Sequence, residues 1–115
     1  MTDVLGNTTT TPRKPHPWVY FDGQVVAAAE ALVPVTTQAF NYGTAVFEGI
    51  RAYVAGSGEL NVFRLDDHLK RLENSARLLQ LENLPQRAEM KAIILDLLRR
   101  NEASTESYIL SLIHI

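Results

Sequence analysis

The chain has 115 residues, 46% of them apolar and 21% charged, with 11 Lys+Arg, 13 Asp+Glu and no Cys, the profile of a soluble globular protein with one core. A formal charge of −2 provides no basic field for nucleic acid or anionic lipid. The absence of Cys excludes a disulfide framework and a thiolate nucleophile, and it fits a reducing, cytoplasmic compartment. No window approaches the roughly 18 apolar residues of a membrane helix, and the first residues lack the basic start and apolar run of a signal peptide.

Residues 1–17 are rich in Thr, Pro and basic side chains and carry too little apolar surface to offset the entropy of ordering, so they read as a tail. Trp18-Val19-Tyr20-Phe21 and Gln24-Val25-Val26 flank Asp22-Gly23, the two-residue signal of a β-hairpin. Pro34 breaks a weak pattern between Ala27 and Phe40. The run Asn41 to Val54 reads as a strand in its second half, and alternation puts Phe47, Gly49, Arg51 and Tyr53 on one face. Gly56-Ser57-Gly58 makes a turn into a short strand at Leu60 to Phe63.

Helical periodicity begins at Leu65, with Leu65, Leu69, Leu72, Ala76 and Leu79 forming one apolar stripe and Asp66 and Asp67 complementing the dipole of the first turn. A second helix is expected after Pro85, in a first-turn position, with Met90, Ile93, Ile94, Leu97 and Leu98 as its apolar face. Tyr108 to Ile115 is strand-like. The order predicts an α+β fold, a mainly antiparallel sheet with two helices packed on one side.

Arg51 shares its face with Phe47 and Tyr53 beside a Gly, which fits the wall of a pocket with a polar end, although periodicity alone favours an edge-strand Arg in solvent. Gly43 and Gly49 mark places where a bulge or a ligand approaches the backbone. On the first helix, His68, Arg71 and Ser75 lie on one flank of the stripe, where Arg71 offers a fork matched to phosphate or carboxylate; a solvated helix side fits the same pattern. His16, His68 and His114 are scattered, with no carboxylate at metal-ligand spacing, and neither a nucleophile elbow nor a Gly-rich phosphate loop is present.

The string Asn41-Tyr42-Gly43-Thr44-Ala45-Val46-Phe47-Glu48-Gly49-Ile50-Arg51-Ala52-Tyr53, followed by Val62-Phe63-Arg64 and His68-Leu69-Lys70-Arg71-Leu72, resembles the N-terminal domain of branched-chain amino acid aminotransferases. These are pyridoxal-phosphate enzymes of the D-amino-acid-aminotransferase-like fold, fold type IV. The resemblance spans residues 18–109. It implies that Arg71 binds the phosphate of pyridoxal 5′-phosphate and that Tyr42, Phe47, Gly49, Arg51 and Tyr108 line the substrate pocket. It also implies transfer of the amino group of Leu, Ile or Val to 2-oxoglutarate in a cytoplasmic homodimer. Tyr42 is out of phase with the others and requires a bend near Gly43; His68 reads as structural.

Two departures follow from that resemblance. Pyridoxal phosphate needs a Schiff-base lysine, and Lys14, Lys70 and Lys91 are all unsuited to it; in the family it lies in a following, larger domain, so this chain is expected to be inactive alone. The family also reads Tyr-Ile-Arg-Pro where this chain reads Tyr108-Ile109-Leu110-Ser111, and residues 110–115 resemble a non-native or truncated end. The alternatives are a D-amino acid aminotransferase or an aminodeoxychorismate lyase of the same fold, and a stand-alone domain that binds without catalysing.

Overall fold

The computed structural model describes residues 15–114, so most of the expected tail and Ile115 lie outside the described residues. Strands β1 (Trp18–Phe21) and β2 (Gln24–Ala27) form the expected hairpin. Asp22 and Gly23 both take positive φ, 50° and 84°, as a tight turn matched to strand twist requires. Ala28 N–H donates to Pro17 O at 2.9 Å, extending the ladder outward.

A short helix not foreseen from the sequence, α1 (Gln38–Tyr42), precedes the central strand. Asn41 Nδ2 donates to Val35 O at 2.8 Å and to Thr37 O at 3.1 Å, tying the loop to the helix. Gly43 ends it with φ 68°, its N–H donating to Ala39 O, the left-handed terminus that Gly adopts without a Cβ penalty. Strand β3 (Ala45–Val54) therefore starts four residues after Asn41, and the bend expected near Gly43 is the exit of a helix.

β3 is the middle of a three-stranded antiparallel sheet, with β4 (Leu60–Val62) on one side and β5 (Ser107–His114) on the other. β5 pairs along most of β3, from Ala45↔His114 to Ala52↔Ser107, whereas β4 pairs only with Ala52 to Val54. One face of this sheet is covered by helix α2 (Leu65–Leu78), and α3 (Arg87–Arg100) packs on α2 and on β1. The α+β class with antiparallel strands is as expected.

The core is built from Val46 and Ile50 of β3, from Leu65, Leu69, Leu72 and Ala76 of α2, from Leu81, and from Met90 and Ile94 of α3. Ile50, Leu69 and Leu72 are fully buried, each contributing about 1.5–3 kcal/mol of apolar transfer. Leu79, expected to end the α2 stripe, is half exposed. The helix stops at Leu78, Gln80 turns left-handed at φ 56°, and Leu81 N–H donates to Ala76 O, folding Leu81 into the place a continuing helix would have given Leu79.

On α3 the core stripe is Met90, Ile94 and Leu98, joined by Leu95, while Ile93 and Leu97 stand outside it, half-buried. Pro85 precedes the N-cap Gln86 rather than occupying the first turn. Asn101, just past α3, accepts from Trp18 N–H through Oδ1 and donates through Nδ2 to Trp18 O and Leu97 O, all at 2.9–3.0 Å. That clamp closes the hairpin onto the helix layer.

Candidate functional site

Strand alternation divides β3 into two sets. Val46, Glu48, Ile50 and Ala52 face α2 and are buried; Phe47, Arg51 and Tyr53 face outward and are exposed, with Gly49 between them. In β5, Tyr108, Leu110 and Leu112 stand on the outward face, while Ile109 and Ile113 pack on the core. The register sets Tyr108 opposite Arg51 and Leu110 opposite Gly49.

The outward face brings together four of the expected pocket residues, Phe47, Gly49, Arg51 and Tyr108. The Tyr108 ring lies over Gly49, where a Cβ would come within 2.5 Å of its hydroxyl oxygen, so only Gly admits this ring position. The Arg51 guanidinium carbon lies 6.0 Å from the centre of the Tyr108 ring, at the limit of cation–π range. The Tyr53 and Phe63 rings meet edge to face with centroids 6.2 Å apart. Around them are Leu110 and Leu112, so Arg51 is the one Arg or Lys among the described outward residues of β3 and β5. This is an apolar wall with a guanidinium at its edge, able to receive a hydrocarbon side chain and one anionic end.

Tyr42 is not on that wall. It ends α1, strongly exposed, beyond the Gly43 turn.

Arg71 lies on the opposite side of the sheet, on α2. Its Nε donates to Glu48 Oε1 at 2.6 Å and its Nη2 to Glu48 Oε2 at 2.8 Å, a bidentate fork. His68 Nδ1 is 2.8 Å from the same Oε2; because an ionised carboxylate only accepts, Nδ1 carries the hydrogen. Glu48 is 4% exposed and Arg71 69%. The Arg71 hydrogen bond, reinforced by that from His68, holds the Glu48 carboxyl below its ordinary range against the opposing effect of burial.

Glu48 is the residue that the sequence reading passes over. A signal was present, since the phase that turns Phe47 and Arg51 outward turns the carboxylate between them into a row of apolar residues, where a charge requires partners. His68, read as structural, is one of those partners.

Arg71 suits the phosphate of a bound cofactor, because its outer guanidinium edge is exposed while its inner edge is fixed. No lysine is comparably placed among the described residues: Lys70 is exposed and Lys91 pairs with Asp66 at 3.0 Å; Lys14 lies outside them. A cleft of about 410 Å³ beside that pair, lined by Asn61, Arg64 and Asp66, contains none of the expected site residues. Among the described residues no group of His, Asp and Glu is arranged to hold a metal ion, and no helix is long and apolar enough to cross a membrane.

The chain thus presents an antiparallel sheet backed by helices, with an apolar wall on its free face and the Glu48–Arg71 pair on the side that α2 covers. Residues 45–113 match the family model for amino-transferase class IV, and the chain belongs to that family. It is 36% identical over 98 residues to the branched-chain-amino-acid aminotransferase of Escherichia coli (strain K12), covering 85% of this chain and 31% of that protein. The structure superposes on the branched-chain aminotransferase of Thermoproteus uzoniensis solved with norvaline, with a TM-score of 0.76 and 39% identity, covering 82% of this chain and 31% of that one. It also superposes on the branched-chain amino acid aminotransferase of Thermobaculum terrenum in its PLP-bound holo form, with a TM-score of 0.69 and 37% identity, covering 77% of this chain and 29% of that one. The chain thus spans somewhat less than a third of the length of these relatives.

Proposed function

We propose that this chain is the small N-terminal domain of a pyridoxal-phosphate aminotransferase that moves the amino group of Leu, Ile or Val to 2-oxoglutarate. The observation that carries the reading is the outward face of β3 and β5, where Phe47, Gly49 and Tyr108 make an apolar wall with Arg51 at its edge. Phe47 and the Tyr108 ring receive the branched side chain. Gly49 leaves the space that the Tyr108 ring takes, and Arg51 attracts the carboxylate.

On the other side of the sheet Arg71 offers its free edge to the cofactor's phosphate. When bound, pyridoxal phosphate supplies the electron sink that lets an amino group pass between carbon skeletons. The lysine that holds it belongs to the part of the protein beyond this chain. Tyr42, exposed at the end of α1, lies off its own wall, and in this reading it lines the pocket of the partner chain in a homodimer. The setting is the cytoplasm.

The test is to express the full-length gene product and follow amino transfer to 2-oxoglutarate from Leu, Ile, Val and D-Ala, with aminodeoxychorismate as a lyase substrate. Turnover of the three branched L-amino acids over D-Ala supports the reading. Preference for D-Ala, or release of pyruvate from aminodeoxychorismate, replaces it with another activity of the fold.

A further inference from the structure

We infer that Glu48 is a positioning residue for Arg71, holding the inner edge of the guanidinium from within the core so that the outer edge is presented to the cofactor's phosphate. This rests on the reading of Arg71 as the phosphate anchor.

A carboxylate contributes nothing to packing at this depth. Its neighbours in phase, Val46 and Ile50, belong to the apolar core, and Glu48 is buried among them. An unpartnered charge there would be strongly unfavourable, yet both of its oxygens are engaged and no buried side-chain polar atom among the described residues lacks a partner. The arrangement is also directional. Glu48 takes Nε and one Nη2 hydrogen of Arg71, while the Nη1 hydrogens find no acceptor among the described residues.

An exposed Arg on a helix flank samples many rotamers and would have to be ordered by each arriving ligand. Fixed by a buried partner, it is ordered by folding instead, which is the preorganisation that favours binding. His68, one turn earlier on α2, bonds Oε2 beside the fork and restrains the carboxylate's rotation. The opposing effect is electrostatic, because the carboxylate cancels the formal charge of the guanidinium. Glu48 therefore acts through orientation rather than field, and the two alternatives predict opposite outcomes when its charge is removed.

The experiment uses the full-length protein freed of cofactor and titrated separately with pyridoxal 5′-phosphate and with pyridoxal, which lacks the phosphate, following cofactor absorbance, with circular dichroism to verify folding. Glu48→Gln is expected to weaken pyridoxal-phosphate affinity at least tenfold while leaving pyridoxal unchanged, and to have no further effect in an Arg71→Ala background. Glu48→Asp keeps the charge but withdraws it from the fork; it should show the same selective loss and serves if the Gln variant fails to fold. Unchanged or tighter pyridoxal-phosphate binding, or equal loss for both ligands, overturns the inference. If Arg71→Ala itself leaves the preference for the phosphorylated ligand intact, the anchor reading fails; if Arg71→Ala abolishes the preference and the Glu48 variants do not, only the positioning role fails.

Discussion

Tyr108 occupies the space that any side chain at position 49 would need, its hydroxyl oxygen 2.5 Å from where a Cβ would stand. The clash is with the far end of a side chain on an exposed face, so Gly49→Ala can be accommodated by swinging the Tyr108 ring away from Arg51. Stability should fall by no more than about 1 kcal/mol, less than overpacking in a closed core. In the full-length protein the affinity for a branched-chain 2-oxo acid should fall about tenfold, because the wall is displaced. Thermal melts and ligand titration check both; unaltered ligand affinity would remove Tyr108 from the wall.

Asn101 joins Trp18 to the end of α3 through both its amide atoms. Asn101→Ala deletes these hydrogen bonds and should cost about 1–3 kcal/mol. Trp18 is the sole Trp, so its fluorescence reports the event directly. The expected result is an earlier transition in urea and faster hydrogen exchange in β1 and β2, with α2 amides unaffected.

The depressed Glu48 titration gives a signed dependence on pH. A carboxyl whose folded value lies below its unfolded one contributes stability that is fully present above the ordinary glutamate value of about 4.3, and that is lost as pH falls through the folded value. Glu73, held down chiefly by its hydrogen bond from Arg87 at 2.7 Å, acts in the same direction from a more exposed site and therefore contributes less. The stability difference between wild type and Glu48→Gln should shrink as pH is lowered from about 6 to about 3. A constant difference across that range in denaturant titrations would contradict the assignment.

The 115-residue chain by itself should show no transaminase activity. Lys70 projects from the exposed side of α2 and Lys91 is paired with Asp66. Borohydride reduction in the presence of pyridoxal phosphate, followed by peptide mapping, should give only sparse labelling spread over Lys14, Lys70 and Lys91. Stoichiometric labelling of one lysine would place a chemical centre in this chain.

Leu110 stands opposite Gly49 on the wall, at a position where the family resemblance calls for Arg. Loss of a cation that meets a carboxylate in a partly buried site costs about 2–5 kcal/mol. Reading codons 110 and 111 at the intact locus should return Arg-Pro. Leu-Ser there would leave Arg51 as the one cation on the wall, among the described residues, for the carboxylate, and Arg51→Gln would then abolish substrate binding.

Local and periodic features of this protein were determined by sequence alone. Asp22-Gly23 specifies its turn because both residues tolerate positive φ, and alternation through Phe47, Gly49 and Arg51 assigns faces because the strand period admits no other choice. The stripe from Leu65 to Ala76 is equally legible. What the tertiary structure decided is everything that depends on two elements meeting. The strand register brings Tyr108 over Gly49, and the crossing of α2 over β3 sets Glu48 against His68 and Arg71. The end of α2 is of the same kind: Leu81 replaces Leu79 because a turn returns the chain to the core. Residues 20 and 23 positions apart carry no local signal of their pairing; a buried carboxylate announces only that it needs a partner, and packing chooses which one.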